Sequence, residues 1–210
     1  TTVETITESP FVNPPLVSHM YTADPSAHVF DGKIYIYPSH DVEGSAAQDD
    51  MGSHFQMKDY HVFSMDDPNG QIRDHGTVLA IEDIPWAGRQ LWAPDAAEKD
   101  GKYYLYFPAK DKNDVFKIGV AVADNPAGPF TAEPEPIKGS YSIDPAVYKD
   151  ADGSYYLYAG GIWGGQLQRY KNGKYQEGLV GPTAGLPADG EPALGPYIAK
   201  LSADMKSFAE

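Results

Sequence analysis

The sequence has no cysteine and few basic residues. Without cysteine, disulfides and thiolate chemistry are excluded, while the redox compartment stays open. Lysine and arginine number 16 against 30 aspartate and glutamate residues, so the formal net charge is -14. Such an acidic chain repels nucleic-acid phosphates and anionic lipid surfaces. We therefore expect no nucleic acid and no membrane among its partners.

The sequence also lacks long apolar runs and long stretches of helical periodicity. No apolar segment approaches the length of a membrane span, and no signal-like segment precedes Thr1. The first residue is not methionine, which fits removal of a secretion signal and trimming of the chain equally. We expect a secreted or periplasmic location in preference to a cytoplasmic one.

Tyrosine, glycine and proline are abundant. The 210 residues include 15 Tyr, 21 Gly and 18 Pro, and their number suits one sizeable domain. Short Tyr-rich apolar segments separated by Gly and Pro are typical of strands and turns. The composition therefore predicts an all-β fold.

A repeated motif makes this prediction more specific. Residues 24–37, 92–106 and 144–158 each contain a short strand, an Asp-Gly turn and an alternating Tyr-rich strand. Their turn glycines are 69 and 52 residues apart. Each hairpin is followed by a second half-motif that predicts a third strand, a turn and a fourth strand. Four-stranded units at this spacing indicate a β-propeller.

The repeats set the expected boundaries of three propeller blades. Blade I covers about residues 20–80, blade II about 90–138 and blade III about 141–210. Three blades do not close a ring, because propellers need about four to eight. We expect the remaining blades beyond Glu210 or in a separate chain.

Three short motifs resemble family 43 of the glycoside hydrolases. They are Asp24-Pro25 in the first repeat, Trp92-Ala-Pro-Asp95 in the second and Ile143-Asp144-Pro145 in the third. Each is weak alone, but their order on successive repeats is specific, and the resemblance covers roughly residues 13–210. It implies a five-bladed β-propeller whose first three blades this chain supplies. It also implies a glycosidase, with β-xylosidase favoured and α-L-arabinofuranosidase next.

The resemblance also implies catalytic roles for two of these residues. Asp24 matches the general base that activates water, and Asp144 matches the carboxylate that orients the general acid and tunes its pKa. The acid itself is a Glu of the fourth blade, outside this chain. Inverting hydrolysis needs an acid and a base about 6.5–9.5 Å apart, and a third carboxylate raises the acid's pKa. Turn formation is the alternative role for both aspartates.

The same motifs supply the expected substrate contacts. Trp92 is the predicted sugar platform, with a core position between blades as the alternative. Asp95 is expected at the rim of the pocket, with a turn role left open, and Ile143 as a pocket wall. His28 is expected to pack rather than to take part in chemistry.

The resemblance implies that the chemistry requires no cofactor, and it suggests a structural calcium ion in the central channel without assigning a ligand here. The expected partners are a xylo- or arabino-oligosaccharide substrate and the C-terminal remainder of the propeller. A carbohydrate-binding propeller without hydrolytic activity is the alternative from another functional class. The identity of the pentose stays open.

Two further segments invite a catalytic interpretation. Residues 65–70 resemble the nucleophile motif of fructan-cleaving propellers, but they come directly after a predicted strand, so a β-turn is favoured. Glu191 lies in a loop-like segment after Asp144 and is a candidate for the missing acid. The segment after Glu191 resembles a third strand of the repeat, so we expect Glu191 at the rim of the pocket or in contact with substrate.

Overall fold

The structure is a computed structural model that describes residues 15–209. Within that range the chain forms fourteen β-strands and three short 3-10 helices, and it contains no α-helix. The all-β prediction is confirmed. No helix of the described range is long and apolar enough to span a membrane.

The first sheet is an antiparallel meander of four strands. Its first hairpin closes at Asp31 and Gly32, whose φ angles are +49° and +77°. Asp and Gly tolerate this left-handed conformation better than most residues, which is why Asp-Gly predicts the turn. The four strands are β1 (Tyr21–Phe30), β2 (Lys33–Asp41), β3 (Asp59–Met65) and β4 (Arg73–Ala80).

The second sheet is built around one long strand, β7. It pairs with β6 along its first half, with β5 near its end and with β8 along its length, and β9 then pairs with β8. Both faces of β7 are buried. The five strands are β5 (Ala87–Arg89), β6 (Asp95–Lys99), β7 (Lys102–Asp111), β8 (Phe116–Ala123) and β9 (Thr131–Ala132).

The third sheet has three strands in the order β10-β11-β14. The segment between β11 and β14 contains the 3-10 helices Trp163–Gly165 and Leu167–Arg169 and a small separate hairpin. The sheet strands are β10 (Ala146–Lys149), β11 (Tyr155–Ala159) and β14 (Tyr197–Lys200), and the separate hairpin is formed by β12 (Tyr170–Lys171) and β13 (Lys174–Tyr175).

Side-chain alternation on β7 places the second sheet between the other two. Leu105 and Phe107 pack into one core cluster with Tyr60 of the first sheet. Tyr106 packs into another cluster with Leu157 of the third sheet. Successive side chains of a strand point to opposite faces, so one strand supplies both cores. Strand β6 in turn contacts both β1 and β10.

Tyrosine hydroxyl groups connect the sheets. The Tyr37 hydroxyl donates to the Pro126 carbonyl at 2.7 Å, and the Tyr106 hydroxyl donates to the Met205 carbonyl at 2.8 Å. The Tyr155 hydroxyl of the third sheet donates to a backbone carbonyl of β6 at 2.7 Å. A buried tyrosine therefore supplies apolar area and satisfies a polar group at once, which explains the choice of Tyr in these strands.

Candidate active site

A cavity of about 380 Å³ opens where the starts of β1, β6 and β10 come together. Asp24 of β1, Trp92 ahead of β6, and Ile143 and Asp144 ahead of β10 all line it. The β2–β3 loop and the helix Trp163–Gly165 complete the wall. Four of the five predicted site residues therefore share one cavity.

Asp24 lies at a bulge in the first strand. The β1–β2 register shifts between Ala23 and Ser26, so that Asp24 and Pro25 fall outside the regular pairing. Proline has no N–H to offer a neighbouring strand, and bulges turn side chains in a new direction. The φ angle of Asp24 is +47°, in the left-handed region. The local sequence thus turns this carboxylate out of the sheet and into the cavity.

Asp144 is held by an equally unusual backbone. Its φ angle is +56°, and that of Ser142 is +66°. The Ser142 hydroxyl donates to the Gly165 carbonyl at 2.7 Å and accepts from the Gly161 N–H at 2.9 Å. A Cβ on Gly161 would lie 2.8 Å from the Ile143 side chain, so any larger residue there would force Ile143 to shift. The glycine-rich segment therefore fixes the strand start that carries Asp144.

The carboxylates in the cavity influence one another. Burial, and secondarily the negative charge of Asp24, raise the pKa of Asp144 to about 6. Burial also raises the pKa of Asp41, with a further contribution from Asp24 and an opposing hydrogen bond from the Ser39 hydroxyl. Asp144 is therefore the group whose charge changes just below neutral pH.

The cavity wall is acidic. Among the residues described, its lining contains no lysine and no arginine. Such a wall disfavours anionic ligands and suits neutral ones. Sequence reasoning missed three of its carboxylates, since nothing in their local motifs marks them. The aspartates that line the cavity are Asp24, Asp41, Asp49, Asp50 and Asp144.

Trp92 forms a buried floor. Only 9% of the residue is exposed, and its Nε1 donates to the Phe55 carbonyl at 2.9 Å. Its ring packs against Phe116, with the centroids 4.7 Å apart. A Cβ on Gly52 would lie 2.6 Å from the ring edge, so the backbone closely covers that edge. Trp92 therefore lines the cavity and is packed as a core residue would be, while its role as a sugar platform stays a prediction.

The open aromatic surface belongs to other residues. Trp163 is 50% exposed and Phe55 is 45% exposed, and both line the cavity. Trp163 has a φ of +55° at the start of its 3-10 helix. Trp163 was not predicted from the sequence, although its position within a glycine-rich segment was the available signal.

Asp95 is absent from the lining of this cavity. Its Oδ1 accepts hydrogen bonds from Ser26 Oγ, from His28 Nε2 at 2.7 Å and from the Ala96 N–H at 2.8 Å. Its Oδ2 accepts from the Val147 N–H at 2.6 Å. The residue is 7% exposed. These contacts engage both carboxylate oxygens of Asp95 within the protein and hold the partly buried His28 beside it, while the predicted contact of Asp95 with substrate stays a prediction.

The two other segments considered from the sequence lie apart from the cavity. Residues 66–70 form the turn between β3 and β4, with the Gly70 N–H donating to the Asp67 carbonyl at 2.9 Å. The β-turn prediction is confirmed. Glu191 is exposed, and its carboxylate accepts from the Ala188 N–H at 2.9 Å. It does not line the cavity that contains Asp144.

The described residues do not complete a calcium site at the sheet junction. A second cavity of about 390 Å³ there is lined by the carboxyl residues Asp24, Asp95 and Asp144. Calcium takes about six to eight oxygen ligands. Both oxygens of Asp95 already accept hydrogen bonds from the protein. We therefore derive no catalytic step from a bound calcium ion.

Comparison with known proteins gives a consistent result. The family model described as "Glycosyl hydrolases family 43" matches residues 13–180. A xylosidase/arabinosidase of Bacteroides ovatus is 62% identical over 196 residues, which cover 93% of this chain and 59% of that protein. A β-xylosidase of Xylanibacter ruminicola is 56% identical over 192 residues, which cover 90% of this chain and 59% of that protein.

Solved structures show the same similarity. A β-xylosidase/α-arabinofuranosidase from a compost microbial metagenome, crystallised with xylotriose in a calcium-free form, superimposes with a TM-score of 0.91. It is 67% identical, and the match covers 94% of this chain and 59% of that one. The chain thus spans about three fifths of the length of these relatives.

Proposed function

Because the chain belongs to family 43 of the glycosyl hydrolases, we propose that its protein removes terminal pentose units from xylan- or arabinoxylan-derived saccharides. The observation that carries this proposal is the shared cavity of Asp24 and Asp144, which come from two different sheets. Its acidic wall and its exposed Trp163 suit a neutral sugar. Relatives described as xylosidases or arabinosidases support the substrate class.

The proposed fold is a five-bladed propeller, of which the three sheets are the first blades. The supporting feature is the stacking of three antiparallel sheets with their first strands together. The outer face of the third sheet exposes Tyr148 and Ile198, at 56% and 58%. Apolar side chains in such positions suit the packing of a further blade.

The proposed mechanism is inversion by direct attack of water. Asp24 removes a proton from the water as it attacks the anomeric carbon. A glutamic acid from the remainder of the protein protonates the departing oxygen. Asp144, once ionised, keeps that acid protonated through like-charge repulsion. Its own pKa of about 6 allows this role at neutral pH.

The test uses the complete protein with an aryl β-xyloside, an aryl α-L-arabinofuranoside and xylobiose. We expect hydrolysis of the xyloside and the disaccharide, with a lower rate on the arabinofuranoside. Proton NMR during the first minutes should show α-xylose released from the β-linked substrate, as inversion requires. Binding of xylotriose without release of xylose would instead identify a carbohydrate-binding protein.

A further inference from the structure

A cluster of histidine and aspartate residues lies on the first sheet, away from the cavity. His40 of β2 and Asp59 and His61 of β3 each offer one ligand atom, and these atoms lie within 4.8 Å of one another. Tyr60 and Val62, on either side of His61, point into the core shared with the second sheet. By alternation His61 points to the opposite face. The three side chains are only 13–20% exposed.

Hydrogen bonding to Asp74 sets the tautomer of a neutral His61. Its Nδ1 lies 2.9 Å from Asp74 Oδ1, and an ionised carboxylate can only accept, so Nδ1 donates. Asp74 is itself held by the Gly76 N–H at 2.8 Å and by His19 Nε2 at 2.8 Å. A neutral His61 therefore carries its lone pair on Nε2. A carboxylate behind a histidine is the common outer support of a metal ligand.

That lone pair faces another acceptor. His61 Nε2 lies 3.6 Å from Asp59 Oδ2. The Thr77 hydroxyl, at 3.3 Å from Nε2, gives its single proton to Asp59 Oδ2 at 2.9 Å. Two acceptors in this position repel one another unless a donor or a cation lies between them, and a metal ion is one group that can bind both. His40 Nδ1, 2.7 Å from Asp59 Oδ1, completes the set of ligand atoms.

We propose that His40, Asp59 and His61 bind a divalent transition-metal ion, with zinc the best match. Two imidazoles and one carboxylate are typical zinc ligands, and water takes the fourth position. Tetrahedral bonds of about 2.0–2.2 Å place ligand atoms about 3.3–3.6 Å apart. The 3.6 Å between His61 and Asp59 fits that spacing, whereas His40, 2.7 Å from Asp59, must draw back slightly from its hydrogen bond to become a ligand. The ion links β2 to β3 and is independent of the sugar chemistry.

The experiment is calorimetric titration of zinc chloride into the complete, chelator-treated protein. We expect one zinc equivalent with release of protons, since the bound imidazole nitrogens must be unprotonated. His61→Ala and Asp59→Asn should each lose this equivalent, and Asp74→Asn should weaken it about 10- to 100-fold. His75→Ala, which removes another histidine of the same sheet, is the matched control and should bind as wild type does.

Cobalt(II) provides a readout that does not depend on any variant. The wild-type protein should give the visible absorption bands of a four-coordinate ion, and zinc should abolish them. Calcium, which prefers oxygen ligands, should not compete. Absence of these bands, or zinc stoichiometry unchanged in His61→Ala, would overturn the proposal in favour of a hydrogen-bonded cluster without a metal ion.

A second inference concerns Asp95 and rests on the proposed function. Its carboxylate binds Ser26 Oγ, which is two residues after Asp24. It also binds the Val147 N–H, which is three residues after Asp144. One side chain of the second sheet therefore joins the two strands that carry the cavity's paired aspartates. We infer that Asp95 is a positioning residue, which sets the separation of Asp24 and Asp144.

The arrangement of Ser26, His28 and Asp95 excludes a nucleophile relay. Ser26 Oγ, at 2.8 Å, and Asp95 Oδ1, at 2.7 Å, both lie at the same ring nitrogen, His28 Nε2. In a Ser-His-Asp triad the serine and the carboxylate bind opposite nitrogens of the imidazole. The three groups therefore hold one another in place.

The test is Asp95→Asn in the complete protein. An amide nitrogen cannot accept a hydrogen bond, so at least one donor loses its partner. We expect kcat to fall at least tenfold with a smaller change in KM. Tyr103→Phe, which removes a remote hydrogen bond to Asp31, is the control for stability loss alone.

Carbon-13 titration of the Asp144 carboxylate gives a readout that needs no activity. We expect the Asp144 pKa to move in Asp95→Asn and to stay unchanged in Tyr103→Phe. An unchanged Asp144 titration would overturn the inference, whether or not the wild type hydrolyses pentosides. Failure of the wild type to hydrolyse any pentoside counts against the proposed function alone.

Discussion

At the scale of single residues, Asp24 and Asp144 share a cavity and a backbone conformation but differ in surroundings. Asp24 lies at a strand bulge, whereas Asp144 comes after a segment that Ser142 ties to the glycine-rich loop. Burial accounts for most of the raised pKa of Asp144. Different environments suit two carboxylates with different tasks.

Replacing Asp24 by Asn tests its assignment as the base. The amide is nearly isosteric but cannot accept a proton from water, so kcat on xylobiose should fall roughly 10²- to 10⁴-fold. Binding of xylotriose, measured by calorimetry, should persist because the cavity walls are intact. Asp67→Asn, in the β3–β4 turn, is a matched control. Near-wild-type turnover by Asp24→Asn would remove the assignment.

Asp144→Asn should change the pH dependence instead. Loss of its negative charge lowers the pKa of the nearby acid, so the alkaline limb of the kcat/KM profile should move to lower pH. An aryl xyloside with a good leaving group hardly needs protonation, so Asp144→Asn should hydrolyse it at close to the wild-type rate. The profile is measured on both substrates. An unshifted alkaline limb on xylobiose contradicts the role of Asp144.

Trp163 should contribute to substrate binding and not to the chemical step. Its exposed ring suits the apolar face of a sugar, so Trp163→Ala should raise KM for xylobiose about tenfold, while Trp163→Phe should keep most of the affinity. Steady-state kinetics of the two variants provide the measurement. Equal effects of Ala and Phe would show that the ring face itself is not used.

At the scale of strands and turns, the sequence predicted the hairpins well. Alternating Tyr-rich segments and Asp-Gly pairs act locally, and the observed hairpins at Gly32 and Gly101 result from them. The cavity walls were harder to predict, because packing across sheets decides them. Trp92, predicted as a sugar platform or a core residue, lines the cavity and also packs against Gly52 and Phe116. Asp95 binds Ser26, which lies 69 residues earlier in the chain, so no local motif could have predicted this contact.

Two glycine substitutions allow the stability cost of turn strain to be compared with that of disrupted packing between sheets. Gly101 has a φ of +74° and free space around it, so Gly101→Ala should lower the free energy of unfolding by about 1–2 kcal/mol. A Cβ on Gly119 would lie 2.5 Å from Phe107 and 2.6 Å from Trp86, between the first and second sheets. Gly119→Ala should therefore be the more destabilising, as urea unfolding would show. The reverse order would contradict the packing described.

At the scale of the whole molecule, the core clusters on both faces of the second sheet are enclosed, but one face of the third sheet is exposed. Tyr158 pairs beside Ile198 on that face, and Tyr148 lies on the same side. Residues 1–210 alone should therefore self-associate and bind a hydrophobic dye. Analytical ultracentrifugation provides the measurement. A monomer that unfolds cooperatively and binds no dye would contradict this expectation.

The raised pKa of Asp144 also makes the cavity a source of thermodynamic instability. Its pKa in the folded protein is about 6, above the ordinary value of 3.8, so the folded state holds this proton more tightly. Stability from this group is therefore full below about pH 4 and is lost as pH rises through 6. At pH 7 the ionised group lowers stability, by less than the pKa shift alone would give because the residue is partly exposed to solvent, and Asp144→Asn should recover this loss. Selection for a stable chain and selection for an active one thus act in opposite directions at this position.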